Sequence, residues 1–482
     1  MPLRICFIAS EVAPLAKTGG LADVASALPR YLHEQGHDVR LFMPLYSSIG
    51  LTALNASHVA NAQDVELRLG AHLYRFSLLE AQVPGSSLPI YLVHCPAAFD
   101  RPTLYSDAPD EHLRFLVLQR AALESCQRMV FAPQIVHCND WHTALVPVLL
   151  KSVYAWDQLF AGSRSIMSIH NIGYQGVFDA GTAFDAGGEI GWLLSATDRA
   201  RGQINWLREG IRNAHRVTTV SPTYAREICT PIGGHGLDGT LSERSDGVVG
   251  ILNGVDYTEW NPATDRYLKH HYTAQDLSGK ALTRRSLLDW LNLPVGDDTP
   301  LLGMVTRLTP QKGIDLLFDS LPEILTNRNC ALVALGSGEW GYESFFTDLQ
   351  RRFADRVVFH RGYSEELAHL IEAASDMFLM PSMYEPCGLN QMYSLKYGTP
   401  PIVRRTGGLA DSVQMWDATT RQGTGIVFND FDVPAMRWAL HTALDLFKDR
   451  DAWRQMMVNG MAKDFSWAAQ GREYEALYRS LL

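Results

Sequence analysis

Short apolar segments alternate with longer amphipathic segments along most of the chain. The first apolar segment, Leu3–Ser10, is followed by a glycine-containing loop, then by residues with helical spacing as far as Gly36, and then by a second apolar segment, Asp38–Tyr46. Short buried strands that alternate with helices predict a parallel α/β sheet. The same pattern predicts further strands at Pro89–Pro96, Gln134–His142, Ser165–Asn171 and Arg216–Pro222.

A second series of strands and helices follows a glycine-containing region, residues 225–300, which we expect to be rich in loops. Its predicted strands lie in Pro300–Gly313, Cys330–Gly341, Arg356–Tyr363, Met377–Ser382, Pro400–Gly408 and Thr424–Asp430, and the chain ends in a predicted helix. We therefore predict two doubly wound, Rossmann-like α/β domains that face a deep cleft. The first comprises residues 1–250 with the closing helix 462–482, and the second comprises residues 251–461.

Composition narrows the class of protein. The chain has 482 residues, 46% of them apolar and 20% charged, which is typical of a globular protein with more than one core. A net charge of −10 argues against binding to nucleic acid or to an anionic membrane, because both need a basic face. The seven cysteines are widely spaced and form no CxxC motif, so no disulfide framework is predicted. The sequence has no run of 18 apolar residues and its first residues predict no signal peptide, so we expect a cytoplasmic protein.

Polar residues recur where the strands of the first series end. Ligands of open parallel sheets bind at the carboxyl ends of the strands, which makes Asp140 and His170 candidate site residues. The segment His137–His142 (HCNDWH) contains possible metal ligands, but its spacing matches no standard metal motif, and no metal site is predicted.

Two glycine-containing loops are candidates for phosphate binding. Residues 17–20 (KTGG) follow the first strand, where glycines admit a phosphate and a helix N-terminus offers N–H groups; an ordinary turn with a solvated lysine explains them equally well. Gly336–Gly341 has the GxGxxG pattern of dinucleotide-binding proteins. The next strand ends in His360 and Arg361 instead of the acidic residue that binds the ribose, which argues against NAD.

Charged residues also follow two strands of the second series. Arg307 and Lys312 stand five positions apart in a loop where they could hold a diphosphate, although two solvated cations are the simpler explanation. Glu385, in YEPCGLN, could bind sugar hydroxyls and oppose developing oxocarbenium charge, or could be an acidic residue favoured by a helix dipole. We interpret Cys387 as a small buried residue and not as a nucleophile.

Taken together, these segments resemble the bacterial glycogen synthase and plant starch synthase family. The resemblance rests on an ordered set of motifs that spans nearly the whole chain: EVAPLAKTGGLADV, HCNDWHTAL, SIHNIGYQGVF, GILNGVDYTEWNPATD, VTRLTPQKGIDLL, PSMYEPCGLNQMYSLKYGTPPIVRRTGGLADSV and the closing helix. It implies the GT-B glycosyltransferase fold. It also implies transfer of glucose from ADP-glucose to the non-reducing end of an α-1,4-glucan such as glycogen, with retained configuration and without a metal, NAD or pyridoxal phosphate.

The resemblance further implies roles for individual residues. Lys17 would contact the donor phosphates, Arg307 and Lys312 would hold the diphosphate, and His170 and Glu385 would contact the donor glucose. Substrate-binding residues would be Glu11, Gly19, Gly20, Asp23, Tyr105, Asp140, Asn171, Asn253, Gly336, Tyr363, Cys387, Gly388, Leu389, Thr406, Gly407 and Gly408.

Two departures and three alternatives accompany this interpretation. Tyr393 stands eight positions after Glu385, where many related retaining transferases have a second glutamate, and the segment after Phe99 that carries Tyr105 is shorter than usual. A UDP-glucose-dependent or small-acceptor enzyme of the same fold would have similar motifs. A non-catalytic glucan-binding regulatory protein would have no need for so many cations. A phosphorylase-like enzyme would need a pyridoxal phosphate lysine, for which no motif is found.

Overall fold

The computed structural model describes residues 1–187 and 190–482. The chain forms two compact units. The first unit comprises Met1–Gly254 and Trp467–Leu482, and the second comprises Val255–Ser466. The sequence analysis placed these boundaries at residues 250 and 462.

The first unit is built on a ten-stranded sheet. The strands of the unit are β1 (Arg4–Ile8), β2 (Asp38–Pro44), β3 (Ser57–His58), β4 (Val65–Leu69), β5 (His72–Gln82), β6 (Pro89–His94), β7 (Ile135–Asn139), β8 (Arg164–Ile169), β9 (Val177–Asp179), β10 (Gln203–Asn205), β11 (Arg216–Thr219) and β12 (Val248–Gly250). Their order in the large sheet is β12-β11-β8-β7-β1-β2-β6-β5-β3, with β4 paired to β5. Strands β9 and β10 form a separate antiparallel pair.

Seven neighbouring strands of the large sheet, β12 through β6 in that order, are parallel. The chain adds strands to one side of β1 as far as β6 and then to the other side from β7 onward, so the topological switch point lies between β1 and β7. The helices of this unit before the closing helix are α1 (Gly20–Glu34), α2 (Leu51–Leu54), α3 (Pro96–Phe99), α4 (Glu111–Arg128), α5 (Val146–Lys151), α6 (Ala196–Ala200), α7 (Trp206–Asn213), α8 (Pro222–Glu227) and α9 (Asp238–Ser242).

The second unit is a six-stranded, all-parallel sheet. Its strands are β13 (Leu301–Leu308), β14 (Ala331–Gly338), β15 (Val357–Arg361), β16 (Met377–Met380), β17 (Pro401–Arg404) and β18 (Ile426–Phe428). The order β15-β14-β13-β16-β17-β18 is that of the doubly wound dinucleotide-binding fold. The switch point lies between β13 and β16, and this fold binds ligands at the carboxyl ends of the strands there.

Helices cover the second sheet and form its core. They are α10 (Ser278–Trp290), α11 (Leu317–Asn327), α12 (Trp340–Arg352), α13 (Glu365–Ala374), α14 (Asn390–Lys396), α15 (Gly407–Ser412), α16 (Val433–Leu446) and α17 (Arg450–Met461). Buried leucine, isoleucine and phenylalanine side chains of β13, β14, α11, α12 and α16 pack together. Residues 225–300 are rich in loops, as predicted, and α10 is the longest regular element within them.

The closing helix, α18 (Trp467–Ser480), is part of the first unit. Its Tyr478 is fully buried and its hydroxyl contacts Nδ1 of His137 at 2.5 Å. A β-carbon added at Gly471 would lie 2.3 Å from the ring of Tyr31 on α1, so glycine is needed for this close packing of two helices. The C-terminal helix therefore completes the core of the first unit, although it follows the second unit in sequence.

Candidate active site

The first-unit site, as we define it, lies after the carboxyl ends of β1, β7 and β8 and contains Glu11, Lys17, Asp140 and His170. The switch point places the loops after β1 and β7 side by side, because these two strands are paired. Strand β8 is the next neighbour of β7. Three separate sequence motifs are therefore brought to one edge of one sheet.

Glu11 is buried and organises the loop that precedes α1. Its carboxylate accepts hydrogen bonds from the backbone N–H of Thr18, from the Thr18 hydroxyl at 2.6 Å and from the hydroxyl of Tyr105. The Tyr105 hydroxyl also contacts Oγ of Ser10 at 2.9 Å. Glu11 and Tyr105 therefore shape this loop, and the Tyr105 hydroxyl is already engaged within the protein.

Lys17 lies at the surface beside the N-terminus of α1. Its Nζ donates to Oδ1 of Asp23 at 2.8 Å, and about half of the side chain (48%) is exposed. A β-carbon added at Gly19 or Gly20 would meet nothing within 4 Å, so packing within the chain does not explain these glycines. The proposed contact of Lys17 with a phosphate stays a prediction.

Asp140 holds the loop after β8 in place. Its Oδ1 accepts the backbone N–H of His170 at 2.7 Å and that of Asn171 at 3.4 Å. The backbone of Asp140 has a φ of 54°, which residues other than glycine rarely adopt. This conformation costs on the order of 1–3 kcal/mol. Burial raises the pKa of Asp140 to about 7, with a smaller contribution from the Glu11 carboxylate, while the two N–H donors oppose the shift.

His170 is buried and has a defined tautomer. The amide nitrogen of Asn139 donates to the carbonyl of Ile8 at 2.9 Å, so its oxygen faces Nε2 of His170 at 2.9 Å. The proton of the neutral ring therefore lies on Nε2, and Nδ1, which has no partner among the described residues, is a hydrogen-bond acceptor. Burial lowers the pKa of His170 to about 3, so the ring is neutral at physiological pH.

The neutral, buried state of His170 predicts a pH dependence of folding. Its pKa is about 3 in the folded state and about 6.5 when unfolded, so only the unfolded state takes up this proton between those values. The contribution of His170 to the free energy of unfolding is therefore lost progressively as pH falls from 6.5 toward 3. We expect denaturant unfolding of His170→Gln to be less pH-dependent than wild type, by about 1.4 kcal/mol per pH unit between pH 5.5 and 4. If the free energy of unfolding of wild type and variant changed with pH in the same way, the expectation would be contradicted. His58→Gln, at an exposed position, is the control for loss of a histidine.

The side chains of the segment His137–His142 have separate structural partners. His137 contacts Tyr478 and the hydroxyl of Ser168, and His142 stacks on Tyr105 with ring centroids 4.7 Å apart. Across residues 1–187 and 190–482, no group of three or more histidine, cysteine, aspartate or glutamate side chains is arranged to hold a metal ion.

The second-unit site, as we define it, contains Arg307, Lys312 and Glu385 and lies at the switch point between β13 and β16. Lys312 ends a 3₁₀ turn after β13, and Glu385 lies in the loop after β16. The backbone N–H of Met383 donates to the carbonyl of Gln311 at 2.9 Å, which joins the two loops.

Lys312 and Glu385 form an ion pair that is largely removed from solvent. Nζ of Lys312 donates to Oε2 of Glu385 at 2.6 Å, and the side chains are 17% and 7% exposed. The hydroxyl of Ser382 donates to the same oxygen at 2.9 Å. Oε1 accepts no hydrogen bond from a described residue and is therefore available to a sugar hydroxyl. The sequence analysis did not identify Ser382, although it precedes Glu385 by only three positions.

Arg307 is exposed at the end of β13 and forms no ion pair within the described part of the chain. An arginine without a carboxylate partner, beside a lysine–glutamate pair, can bind an anion without first breaking an internal contact. The second-unit site thus combines one available guanidinium, one ammonium and one carboxylate.

Glycines allow the backbone to pack closely around Glu385. A β-carbon added at Gly407, where φ is 42°, would lie 1.9 Å from the carbonyl oxygen of Glu385. One added at Gly408 would lie 2.1 Å from the carbonyl of Cys387. Gly388 has a φ of 71°, and a β-carbon there would approach Gln391 to 2.4 Å. These predicted site glycines are thus explained by the shape of the loop that carries Glu385.

Alanine at Gly407 is expected to displace the Glu385 loop. We expect Gly407→Ala to lower turnover by about a hundredfold, since a shift of about 1 Å in a catalytic group has effects of that size. Gly341→Ala is the control, because a β-carbon at Gly341 meets nothing within 4 Å. Initial rates and melting temperatures of both variants test this, and equal rates would show that the loop position is unimportant.

The GxGxxG segment is explained by strand packing. A β-carbon at Gly336 would lie 2.1 Å from the carbonyl of Thr306, and one at Gly338 the same distance from that of Leu308. The backbone N–H of Gly338 donates to Glu343 of α12 at 3.0 Å, so a carboxylate stands where a dinucleotide phosphate would bind. The segment therefore provides no dinucleotide-binding loop.

The remaining predicted residues are placed as follows. Tyr363 is 65% exposed and its hydroxyl contacts Glu365, while Oδ1 of Asn253 is buried and has no partner among the described residues. Leu389 and Thr406 immediately precede α14 and α15, and Cys387 is buried. Their contacts with a substrate stay predictions.

Comparisons with known proteins agree with this architecture. The starch synthase catalytic domain family matches residues 4–243, and the family described as glycosyl transferases group 1 matches residues 292–457. The two Rossmann-like units define the chain as a glycosyltransferase of the GT-B fold. None of the helices in the described ranges combines the length and apolar character that crossing a membrane requires.

Relatives at full length identify the family. The chain is 46% identical to a glycogen synthase of Anaeromyxobacter sp. (strain Fw109-5), with 99% of each chain covered, and 42% identical to one of Aeromonas hydrophila, with 100% and 99% covered. A solved structure, the catalytic domain of starch synthase IV from Arabidopsis thaliana bound to ADP and acarbose, matches with a TM-score of 0.92 at 36% identity and covers 100% of this chain and 99% of that one. The chain belongs to the glycogen synthase and starch synthase family.

Proposed function

We propose that this enzyme transfers glucose from ADP-glucose to the non-reducing end of an α-1,4-glucan, with retention of the anomeric configuration. The observation that carries the proposal is the second-unit site: two cations and a buried carboxylate at the switch point of a doubly wound sheet, where such folds bind nucleotides. Support comes from the relatives named as glycogen synthases and from the related starch synthase whose structure holds ADP and acarbose.

In the proposed reaction, the bond between the anomeric carbon and the diphosphate oxygen breaks while the acceptor 4-hydroxyl attacks from the same face. The proton of that hydroxyl passes to the departing phosphate oxygen, so no separate protein base is needed. Negative charge grows on the diphosphate as the bond breaks, and Arg307 and Lys312 stabilise it more in the transition state than in the ground state. Oε1 of Glu385 accepts a hydroxyl of the donor glucose and opposes its developing positive charge.

His170 acts in this proposal as a neutral hydrogen-bond acceptor. Its Nδ1 is buried and accepts no hydrogen bond from a described residue, and its ring is held by Asn139 and by Asp140 through the backbone. A glucose hydroxyl is a suitable donor to this atom. Because the ring stays neutral, His170 positions the sugar and supplies no proton.

The proposal assigns charge neutralisation to side chains and requires no metal ion. We therefore expect excess EDTA to leave the rate unchanged. A rate that falls with EDTA and returns with a divalent cation would contradict this part of the proposal.

Nucleotide release with two donors tests the proposed function. ADP-glucose and UDP-glucose are each supplied with and without glycogen, and maltose replaces glycogen in a parallel series. We expect rapid release of ADP only when ADP-glucose and glycogen are both present. Preference for UDP-glucose or for maltose would identify a different donor or acceptor, and no release under any condition would favour a non-catalytic glucan-binding protein.

A further inference from the structure

A cavity of about 240 Å³ lies in the first unit, at the edge of the sheet opposite to the first-unit site. Arg164 begins β8 and lines this cavity, whereas His170 follows the other end of the same strand. Six residues of extended chain separate them by about 20 Å. The cavity is therefore distinct from the first-unit site.

Three side chains with nitrogen donors line the cavity: the exposed Lys151 at the end of α5, the half-buried Arg164, and the exposed His215 just before β11. Within the parts of the chain that the structure describes, none of the three forms an ion pair with a carboxylate. Among the described residues, the guanidinium of Arg164 has a hydrogen bond only with the carbonyl of Ser163, at 3.4 Å.

The imidazole of His215 has a defined tautomer. The backbone N–H of Ser165 donates to Nδ1 at 3.0 Å, so this atom carries no proton. The neutral ring therefore carries its proton on Nε2, which forms no hydrogen bond with a described residue.

The one carboxylate that lines the cavity is already engaged. Oδ1 of Asp157 accepts the backbone N–H of Leu159 at 2.9 Å, and Oδ2 accepts the side-chain amide of Gln127 at 2.6 Å. It is therefore not a counter-ion for Lys151 or Arg164. Apolar side chains that line the cavity include Leu150 and Phe160.

The cations of this region also repel one another. Burial and then the charge of Arg244 lower the pKa of Lys151, and burial followed by Lys151, Arg164 and Arg244 lowers the pKa of His215. Arg244 is itself paired with Asp246 at 2.7 Å. A bound anion would offset the unfavourable effect of Arg244 on the charged form of Lys151.

We propose that Lys151, Arg164 and His215 form a binding site for a phosphomonoester of a small sugar. Two full positive charges and one neutral donor match a phosphate dianion, which accepts several hydrogen bonds at once. The cavity has room beyond a single phosphate group, and its apolar lining residues suit the less polar faces of a sugar ring.

Calorimetric titration of the full-length protein tests this site, with ADP at saturation so that the donor site is occupied. Glucose 1-phosphate, inorganic phosphate and glucose are titrated separately at constant ionic strength. We expect one saturable site for glucose 1-phosphate, at least tenfold weaker binding of phosphate, and none of glucose.

Single substitutions locate the site. Lys151→Met and Arg164→Gln are each expected to weaken binding of glucose 1-phosphate at least tenfold, the usual effect of losing one charge-assisted hydrogen bond. Arg201→Gln removes the same charge from an exposed position of the same unit and is expected to change affinity less than twofold. Absence of saturable binding, or equal binding by all variants, would overturn the proposal. Equal affinity for phosphate and glucose 1-phosphate would overturn its assignment to a sugar phosphate. Because the substitutions lie in this cavity, the result is separable from the outcome of the donor assays.

Discussion

Replacement of Lys312 by alanine is expected to lower turnover about a thousandfold while glucan binding is retained. The substitution removes a fixed positive charge from the oxygen on which negative charge develops, and such preorganised groups contribute about 3–4 kcal/mol to a transition state. It also leaves the carboxylate of Glu385, which is 7% exposed, without its ion-pair partner. Turnover with saturating ADP-glucose and retention on immobilised glycogen measure the two effects.

The control for this prediction is Lys463→Ala, which removes an exposed lysine of the same unit. It should leave both turnover and glycogen retention unchanged. Lys312→Arg keeps the positive charge but replaces the compact ammonium group with a planar guanidinium. We expect it to recover only part of the activity, because Lys312 contacts Glu385 through a single hydrogen bond of 2.6 Å. Near-normal turnover of Lys312→Ala would remove the main support for the proposed mechanism.

Glu385→Gln is expected to lower the turnover rate by about two to three orders of magnitude with a much smaller effect on ADP binding. Glutamine keeps the volume and the acceptor oxygen but removes the negative charge that opposes positive charge on the sugar in the transition state. The substitution also leaves Lys312 without a counter-ion, so that its ammonium is free to pair with the bound diphosphate. Turnover rate and ADP affinity, measured on the same preparation, separate the two effects.

Glu372→Gln is a matched control for that substitution. Glu372 is another buried carboxylate of the second unit, and burial raises its pKa well above the usual range, so a neutral side chain changes little there. It accepts a hydrogen bond from Ser394 at 2.7 Å, which glutamine can also accept. If Glu385→Gln and Glu372→Gln were equally active, the charge of Glu385 would have no part in the reaction.

Much of the fold follows from the sequence because buried parallel strands are short apolar runs. All the strands predicted in the two series are present, although most are shorter than predicted because their polar ends form the loops of the two sites. The positions of Lys312 after β13 and of Glu385 after β16 followed from the same pattern, since the carboxyl ends of neighbouring parallel strands lie at one edge of a sheet. Arg307, which was predicted in the loop, is the second-last residue of β13.

Elements with weaker patterns were not predicted. Strands β4 and β5 are antiparallel and half exposed. The alternation of apolar and polar residues, for example in Val65–Leu69, was the sequence signal that could have revealed them. Helix α10 lies in a region whose glycines and prolines suggested loops. Its Lys280 is buried and donates to the carbonyl of Ala373 at 2.8 Å, so tertiary contacts stabilise the helix.

Contacts between distant residues also could not be predicted. The tautomer of His170 depends on Asn139, whose orientation is set in turn by the carbonyl of Ile8. The pairing of Lys312 with Glu385 joins residues 73 positions apart. Such contacts require the register of the sheet, which hydrophobic periodicity alone does not specify.

Titration of ADP into the wild-type enzyme and three variants tests most directly whether the switch point of the second unit holds the nucleotide diphosphate. Arg307→Ala and Lys312→Ala are each expected to raise the dissociation constant at least tenfold, because each removes one charged donor to the diphosphate. Lys463→Ala should bind ADP as the wild type does. Equal affinities of all four proteins would contradict the assignment of the donor site to this edge of the sheet.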